Sequence, residues 1–401
     1  MDEAVRRILA NISALPARRV PLREARGLVL AERIVAGSDS PRFDTAAMDG
    51  YAVRASDMRG AVDGHPLRLA ITGAITAGAH GDVRIAPGTA IRIMTGAQCP
   101  AGANVVLPFE LAQEHGNWIE AQANLAAGAN IRRAGEDYRA GEALLESGAR
   151  LSPAHLAIIA AEGYASLGVV PRPRVALIAT GDELVPPGQT LASGQIRDSN
   201  SCMVTGLIEQ FGGEIACPEI VTDDSGALLA SLRRHAADDV DLIVTIGGAS
   251  RGDRDVLTEI GSDDAQLAFW DVRMKPGRPL VCGRIDGVPV IGLPGNPAAA
   301  FVSAVQFVRP AVLALLGQTN ILPPVISAAV AEPVFNAGGR RNFVRVTLEQ
   351  DTTGLRARLA GPQNAANLLT LSRADGLLVI PETMDHVEPG MRLDVQLIRD
   401  L

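Results

Sequence analysis

The chain has 401 residues, 47% of them hydrophobic and 20% charged, which is enough apolar material for sizeable packed cores and excludes global disorder. Its net charge of -8 argues against a general nucleic-acid binder, which needs a basic face. An anionic ligand would therefore have to be met locally, by amides, Lys, Arg or a metal.

The N-terminal stretch MDEAVRRILANISALP carries Val5, Ile8, Leu9 and Ile12 at helical spacing, so residues 2–14 read as an amphipathic helix. It opens with acids and lacks a continuous apolar core, so it does not read as a signal peptide. Pro21 to Gly27 reads as a short helix and LVLAERIVA as a strand. From about 41 to 150 short extended runs alternate with glycines (LRLAITGAI, DVRIAPGTAIRIMTG, ANVVLPFEL, NWIEAQA), the texture of a small β-rich lobe. A helix capped by Ser152 with Pro153 at its first position follows, then a stiff Pro171/Pro173 linker.

Beyond Arg174 strand and helix alternate. VALIAT, EIACPEIVT, DLIVTIGG, AFWDVRM, PLVCGRI and VPVIGL read as strands. DSNSCMVTGLIEQFGG, SGALLASLRRHAAD, DRDVLTEIG and the stretch from Pro297 read as helices. Continuous apolar strands alternating with helices predict an α/β domain with a mostly parallel sheet. After about Pro323 the pattern returns to strands, a small all-β C-terminal domain. The most apolar stretch, around Ala298 to Leu316, is interrupted by Gln306, Arg309 and Pro310 and reads as no membrane span. Cys99, Cys202, Cys217 and Cys282 form no CxxC pair and read as reduced thiols of a soluble, cytoplasmic protein.

Ligands of open α/β sheets sit beyond the carboxyl ends of the strands. VALIAT ends at Thr180 and runs into Gly181, Asp182 and Glu183, and EIVT runs into Asp223 and Asp224. LIVTI runs into Gly247, Gly248, Ser250, Gly252, Asp253 and Asp255, and VPVIGL into Pro294, Gly295, Asn296 and Pro297. The loop MKPGRP adds Lys275 and Arg278. Glycines and a helix start offer amides to an anion, and the basic pair adds charge. Carboxylates beside such a site would repel the ligand unless a hard cation such as magnesium joined them to its phosphates, so the combination suggests a metal-bridged phosphate ester. Each piece alone is equally an ordinary turn or cap, including Asp49 in AAMDGYA and Thr95 in IMTGAQ. No Walker A, no GxGxxG and no histidine metal spacing is present.

Taken in order, FDTAAMDGYAVR, IMTGAQCPAGANVV, RRAGEDYRAGE, VALIATGDELVPPG, GQIRDSNS, IGGASRGDRD, MKPGRP and GLPGNP resemble the molybdopterin molybdenumtransferases, including the E domain of gephyrin-type proteins. The resemblance runs from about residue 5 to the C-terminus. It implies insertion of molybdate into adenylylated molybdopterin with magnesium-dependent loss of AMP, by a homodimer of four-domain subunits. On this chain the domains fall at 1–45 plus 138–172 (discontinuous, helix-containing, dimerising), 46–137 (β-rich), 173–320 (α/β, substrate-binding) and 321–401 (all-β, barrel-like).

The resemblance assigns Glu183, Asp223 and Asp255 to the metal. It brings Asp49, Thr95 and Asp137 to the site from across the dimer, and fits Lys275, Arg278 and Ser250 to the anion. The adenylyltransferase that makes the substrate and the enzymes that accept the cofactor are candidate partners, and neither nucleic acid nor membrane is expected. The chain departs from the family pattern at Ala47 and Ala299, where Ser is frequent, and at Arg251 and Asn104. Two other functions compete: a molybdopterin adenylyltransferase, expected as the α/β domain alone, and a non-catalytic scaffold, which loss of the carboxylates would have supported.

Overall fold

The computed structural model describes residues 1–398 apart from 63, 79–82, 249–265, 337 and 353, and leaves out the side chains of Cys217 and Phe269. The chain forms two compact units, one of residues 33–146 and 157–164, the other of 1–32, 147–156 and 165–401.

The smaller unit is built on a six-stranded sheet in the order Val105–Pro108, Gly50–Val53, Thr89–Ile93, Leu67–Ile75, Trp118–Ala121, Ala112–Glu114. Successive strand residues face opposite ways, so Val105 and Leu107 enter one apolar cluster with Tyr51 and Val53, while Val106 joins Ala52, Ile91 and Ile93 in another. Both faces are thus buried along Gly50–Val53 and Val105–Pro108. Gly50 of the MDGYA motif has a steric reason to be glycine, because a Cβ there would stand 2.1 Å from the Leu107 carbonyl oxygen of the paired strand.

In the larger unit the predicted helix at 2–14 is shorter, Asp2–Leu9, and the predicted helix at 21–27 is a single 3-10 turn, Leu22–Glu24. LVLAERIVA is two short strands, Val29–Leu30 in the larger unit and Ile34–Val35 in the smaller, which pair with different partners. Glu32, between them, turns its carboxylate to the Gly168 amide at 2.6 Å.

The α/β sheet runs Glu214–Val221, Arg174–Thr180, Leu242–Ile246, Val288–Leu293, Pro279–Ile285, Gln266–Asp271. The first four strands are parallel and the last two antiparallel. Although every residue of Leu242–Ile246 is buried, alternation still assigns faces. Leu242 and Val244 pack with the Ser199–Phe211 helix and the long helix from Pro297, and Ile243 with Leu228 and Leu232 of Ser225–Ala237. Both crossover helices start at aspartate caps, Asp198 accepting from the Ser201 amide and Asp224 from that of Ala227.

The Pro297–Leu315 helix, which holds one π turn at Ala304–Val308, is long and apolar enough to cross a membrane, but it is largely buried inside the fold as a core element. The predicted helix at DRDVLTEIG lies outside the described residues. Strands Val325–Val330, Arg341–Asp351, Gly354–Leu359, Gly376–Ile380 and Arg392–Leu397 close into the expected C-terminal barrel, because Arg341–Asp351 pairs with both Gly354–Leu359 and Gly376–Ile380. Closure removes the unpaired edges and leaves Val330, Val344, Val346, Leu378 and Val395 inside.

Candidate functional site

The parallel register fixes where the loops emerge. Thr180 pairs with Val221, Ala179 with Ile246, and Ile246 with Leu293, so four strands end level and their carboxyl-terminal loops lie side by side. There the Asp182 amide donates to the Asp223 carboxylate at 3.4 Å and the Asp223 amide to that of Asp182 at 3.1 Å. Each exposed carboxylate keeps an oxygen free of that exchange. Glu183 follows in the same turn, its carbonyl accepting from the Ile196 amide at 2.8 Å.

Gly247 donates its amide to the Leu293 carbonyl and sits at φ +93°, where a Cβ would stand 2.7 Å from Thr180 Oγ1 and 2.8 Å from the Thr180 carbonyl oxygen. Only glycine lets these two strand ends approach so closely. Gly295 lies next to it, its Cβ position 3.7 Å from the Gly247 Cα, an ordinary van der Waals contact. Asn200 fixes that turn by donating Nδ2 to the Gly295 carbonyl at 2.7 Å. At the helix start that follows Asn296 and Pro297, the Ala298 amide is committed to the Ala365 carbonyl at 2.8 Å, so the turn offers an anion fewer amides than its sequence suggests.

Beside Pro294, Gly295 and Asn296 lies a cavity of about 350 Å³, also lined by Lys275, Ala299, Phe335, Asn342, Arg345 and Gln363. Lys275 reaches it because Met274–Lys275 pairs with Arg341–Asn342 of the barrel. Arg345 is the unusual member, 1% exposed and with no carboxylate against it among the described residues. Its Nε donates to the Thr370 hydroxyl at 3.0 Å and its Nη2 to the Asn364 carbonyl at 3.1 Å. Burial lowers its pKa, the mark of a guanidinium removed from water without an opposing charge. Arg278 is differently placed, exposed and paired with Asp271 at 3.0 Å, and it does not line the cavity. Ala299 puts a methyl where a serine would add a donor.

In the smaller unit Asp49 Oδ1 accepts from both the amide and the hydroxyl of Thr95, each at 2.7 Å. The hydroxyl bond, then the amide bond, hold the Asp49 carboxyl below its ordinary pKa. Asp137 is exposed, with its amide on the Ser40 carbonyl at 2.9 Å. Ser250, Gly252 and Asp255 lie outside the described residues, as does the departure at Arg251. Among the described residues no group of three or more His, Cys, Asp or Glu stands close enough together to hold a metal ion.

Three residues escaped the sequence reading. Arg345 had a visible signal, a lone charge inside the apolar run NFVRVTL, and Asn200 lay in the quoted GQIRDSNS. Phe335 had none.

Residues 1–163 match the MoeA N-terminal region (domain I and II), 176–314 a probable molybdopterin binding domain, and 327–398 the MoeA C-terminal region (domain IV). The chain belongs to the MoeA family. A relative from Mycobacterium tuberculosis, molybdopterin molybdenumtransferase 2, is 39% identical over 382 residues, 94% of each chain. A Staphylococcus aureus molybdopterin molybdenumtransferase is 33% identical over 98% of this chain and 94% of its own. The crystal structure of a molybdopterin biosynthesis MoeA protein from Pyrococcus horikoshii superposes with a TM-score of 0.83 at 30% identity, over 99% of this chain and 98% of that one. In this MoeA-family chain the lysine–arginine cavity therefore joins the molybdopterin-binding match to the C-terminal one, with Lys275 from the former and Arg345 from the latter.

Proposed function

We propose that the chain inserts molybdate into adenylylated molybdopterin with release of AMP. What carries this reading is the cavity lined by Lys275 and by Arg345, which has no carboxylate against it among the described residues, in a chain similar along almost its whole length to molybdopterin molybdenumtransferases. Molybdate arrives already an oxyanion, so no strong nucleophile is needed. Lys275 and Arg345 hold it, the turn at 294–297 and the glycines of 247–248 cradle the pterin nucleotide, and this fixes the dithiolene against the metal-oxo centre.

Glu183, Asp223 and Asp255 are our assignment for magnesium. Carboxylate oxygen is the donor a hard dication takes, and Asp223 spends only one oxygen on the Asp182 amide. Bound there, the ion would neutralise the diphosphate and polarise the anhydride whose hydrolysis frees AMP. We further place the chain in the cytoplasm as a homodimer of subunits divided at 1–45 with 138–172, 46–137, 173–320 and 321–401. Asp49, Thr95 and Asp137 of the partner subunit would complete the site, Ser250 and Gly252 would bind the ligand, and Arg278 would assist at the anion.

The test is incubation with adenylylated molybdopterin, magnesium and molybdate. Molybdate-dependent AMP release supports the reading, synthesis of the adenylylated pterin from ATP would make the chain an adenylyltransferase, and inertness would make it a scaffold. Asp255→Ala should abolish AMP release and leave the assembly unchanged; undiminished turnover would refute the metal assignment.

A further inference from the structure

Phe335 is 74% exposed, more than any other large apolar side chain described, yet its backbone is anchored on both sides. The short strand Val334–Phe335 pairs with His386–Val387, and Val334, on the opposite face, is buried in the barrel. The Phe335 ring stands 4.5 Å from the His386 imidazole, whose Nε2 is in turn 2.7 Å from Glu388. The next residue, Asn336, is buried, with its amide on the Asp385 carbonyl at 2.8 Å and its Nδ2 donating to the carbonyls of Arg340 and Met384 at 3.0 and 3.1 Å. A single exposed ring needs no explanation by itself, but the place of this one does. It lines the same cavity as Lys275 and Arg345.

A cavity of about 350 Å³ is at the small end for ligand sites and cannot enclose a substrate with a pterin, a diphosphate and a nucleoside. Which part overhangs its rim follows from the chemistry. The dithiolene must meet the oxyanion at Lys275 and Arg345, and the dithiolene is carried on a ring fused to the pterin. Adenine lies beyond the diphosphate, at the far end. We infer that Phe335 is the stacking platform for the pterin ring of the substrate and sets the direction in which the dithiolene faces the cradle. This rests on the proposed function.

The experiment is calorimetric titration of the full chain and its variants with adenylylated molybdopterin in the absence of molybdate, alongside AMP release with molybdate present. Phe335→Ala should weaken binding of the adduct about tenfold, as loss of one aromatic stack does. Phe335→Leu, apolar without a flat face, should be as weak, and Phe335→Tyr should restore binding. The affinity for AMP alone and the half-saturating molybdate should stay at the parent's values, and the melting midpoint should not move because the ring is exposed. Binding by Phe335→Ala within twofold of the parent, or full binding by Phe335→Leu, overturns the inference while AMP release by the parent leaves the function standing. A parallel loss of AMP affinity would make the ring an adenine platform and also overturns it. A parent that binds the adduct through Phe335 without turning it over sinks the function and keeps the inference, and a parent that does not bind it sinks both.

Discussion

The close approach of Gly247 to Thr180 gives a prediction whose size can be worked out from the geometry. In Gly247→Ala the new Cβ meets Thr180 Oγ1 at 2.7 Å and the Thr180 carbonyl oxygen at 2.8 Å, with the backbone at φ +93°. A non-glycine residue in the left-handed region costs about 1–2 kcal/mol. Forcing a carbon against a backbone oxygen that no rotamer can move adds about 1–3 kcal/mol. Taken as independent, the two sum to roughly 2–5 kcal/mol, and for a domain of 150–250 residues each kcal/mol moves the melting midpoint by about 2–4 °C. The expected drop is therefore roughly 4–20 °C by scanning calorimetry. A companion variant separates the two contacts. Thr180→Ala removes an Oγ1 that is buried without a hydrogen-bond partner among the described residues, so alone it should cost no more than about 1 kcal/mol. In the double variant only part of the loss should return, because the carbonyl oxygen stays. A Gly247→Ala midpoint within a degree or two of the parent, or full recovery in the double variant, would refute the claim that backbone proximity demands glycine here.

Arg345→Met removes the charge of a residue that lines the cavity; if its guanidinium meets the oxyanion, a hydrogen bond to a charged group is worth about 1.5–3 kcal/mol, so half-saturation by molybdate should rise at least tenfold, read from AMP release, and an unmoved value would remove Arg345 from the cradle. The Asp49 carboxyl lies below its ordinary 3.8 through the Thr95 hydroxyl first and the Thr95 amide second, so its contribution to stability is present above that value and is lost as pH falls through the lower folded one. Thr95→Val removes the hydroxyl bond and keeps the amide, and the Asp49 titration followed by NMR should move part of the way back towards 3.8; a curve superposed on the parent's would show that the hydroxyl does nothing.

What the sequence disclosed and what it hid divide on physical lines. The strands Arg174–Thr180, Leu242–Ile246 and Val288–Leu293 were legible because each is a continuous apolar run stopped by a glycine or proline turn, so boundary and burial share one local cause. LVLAERIVA misled because its hydrophobicity is local while its break, at the Glu32–Gly168 bond, depends on a residue more than a hundred positions away. The same distinction orders the basic residues.

Arg278 and Lys275 stand out in MKPGRP because turn residues flank them, whereas Arg345 sits within a barrel strand, marked only as a lone charge in an apolar run. The antiparallel register that brings Asp271 opposite Pro279 also puts that acid beside Arg278 and gives its charge a partner. Nothing comparable reaches Arg345 among the described residues. An exposed pair such as Arg278–Asp271 contributes at most about 1 kcal/mol, so an oxyanion can still draw Arg278 away, but it must first break that pair. Arg345 has no such pair to break. If the cradle is where the oxyanion binds, truncating Arg345 has to raise half-saturation by molybdate more than Arg278→Ala does, and the reverse order would move the anion out of the cavity to the exposed side of the loop.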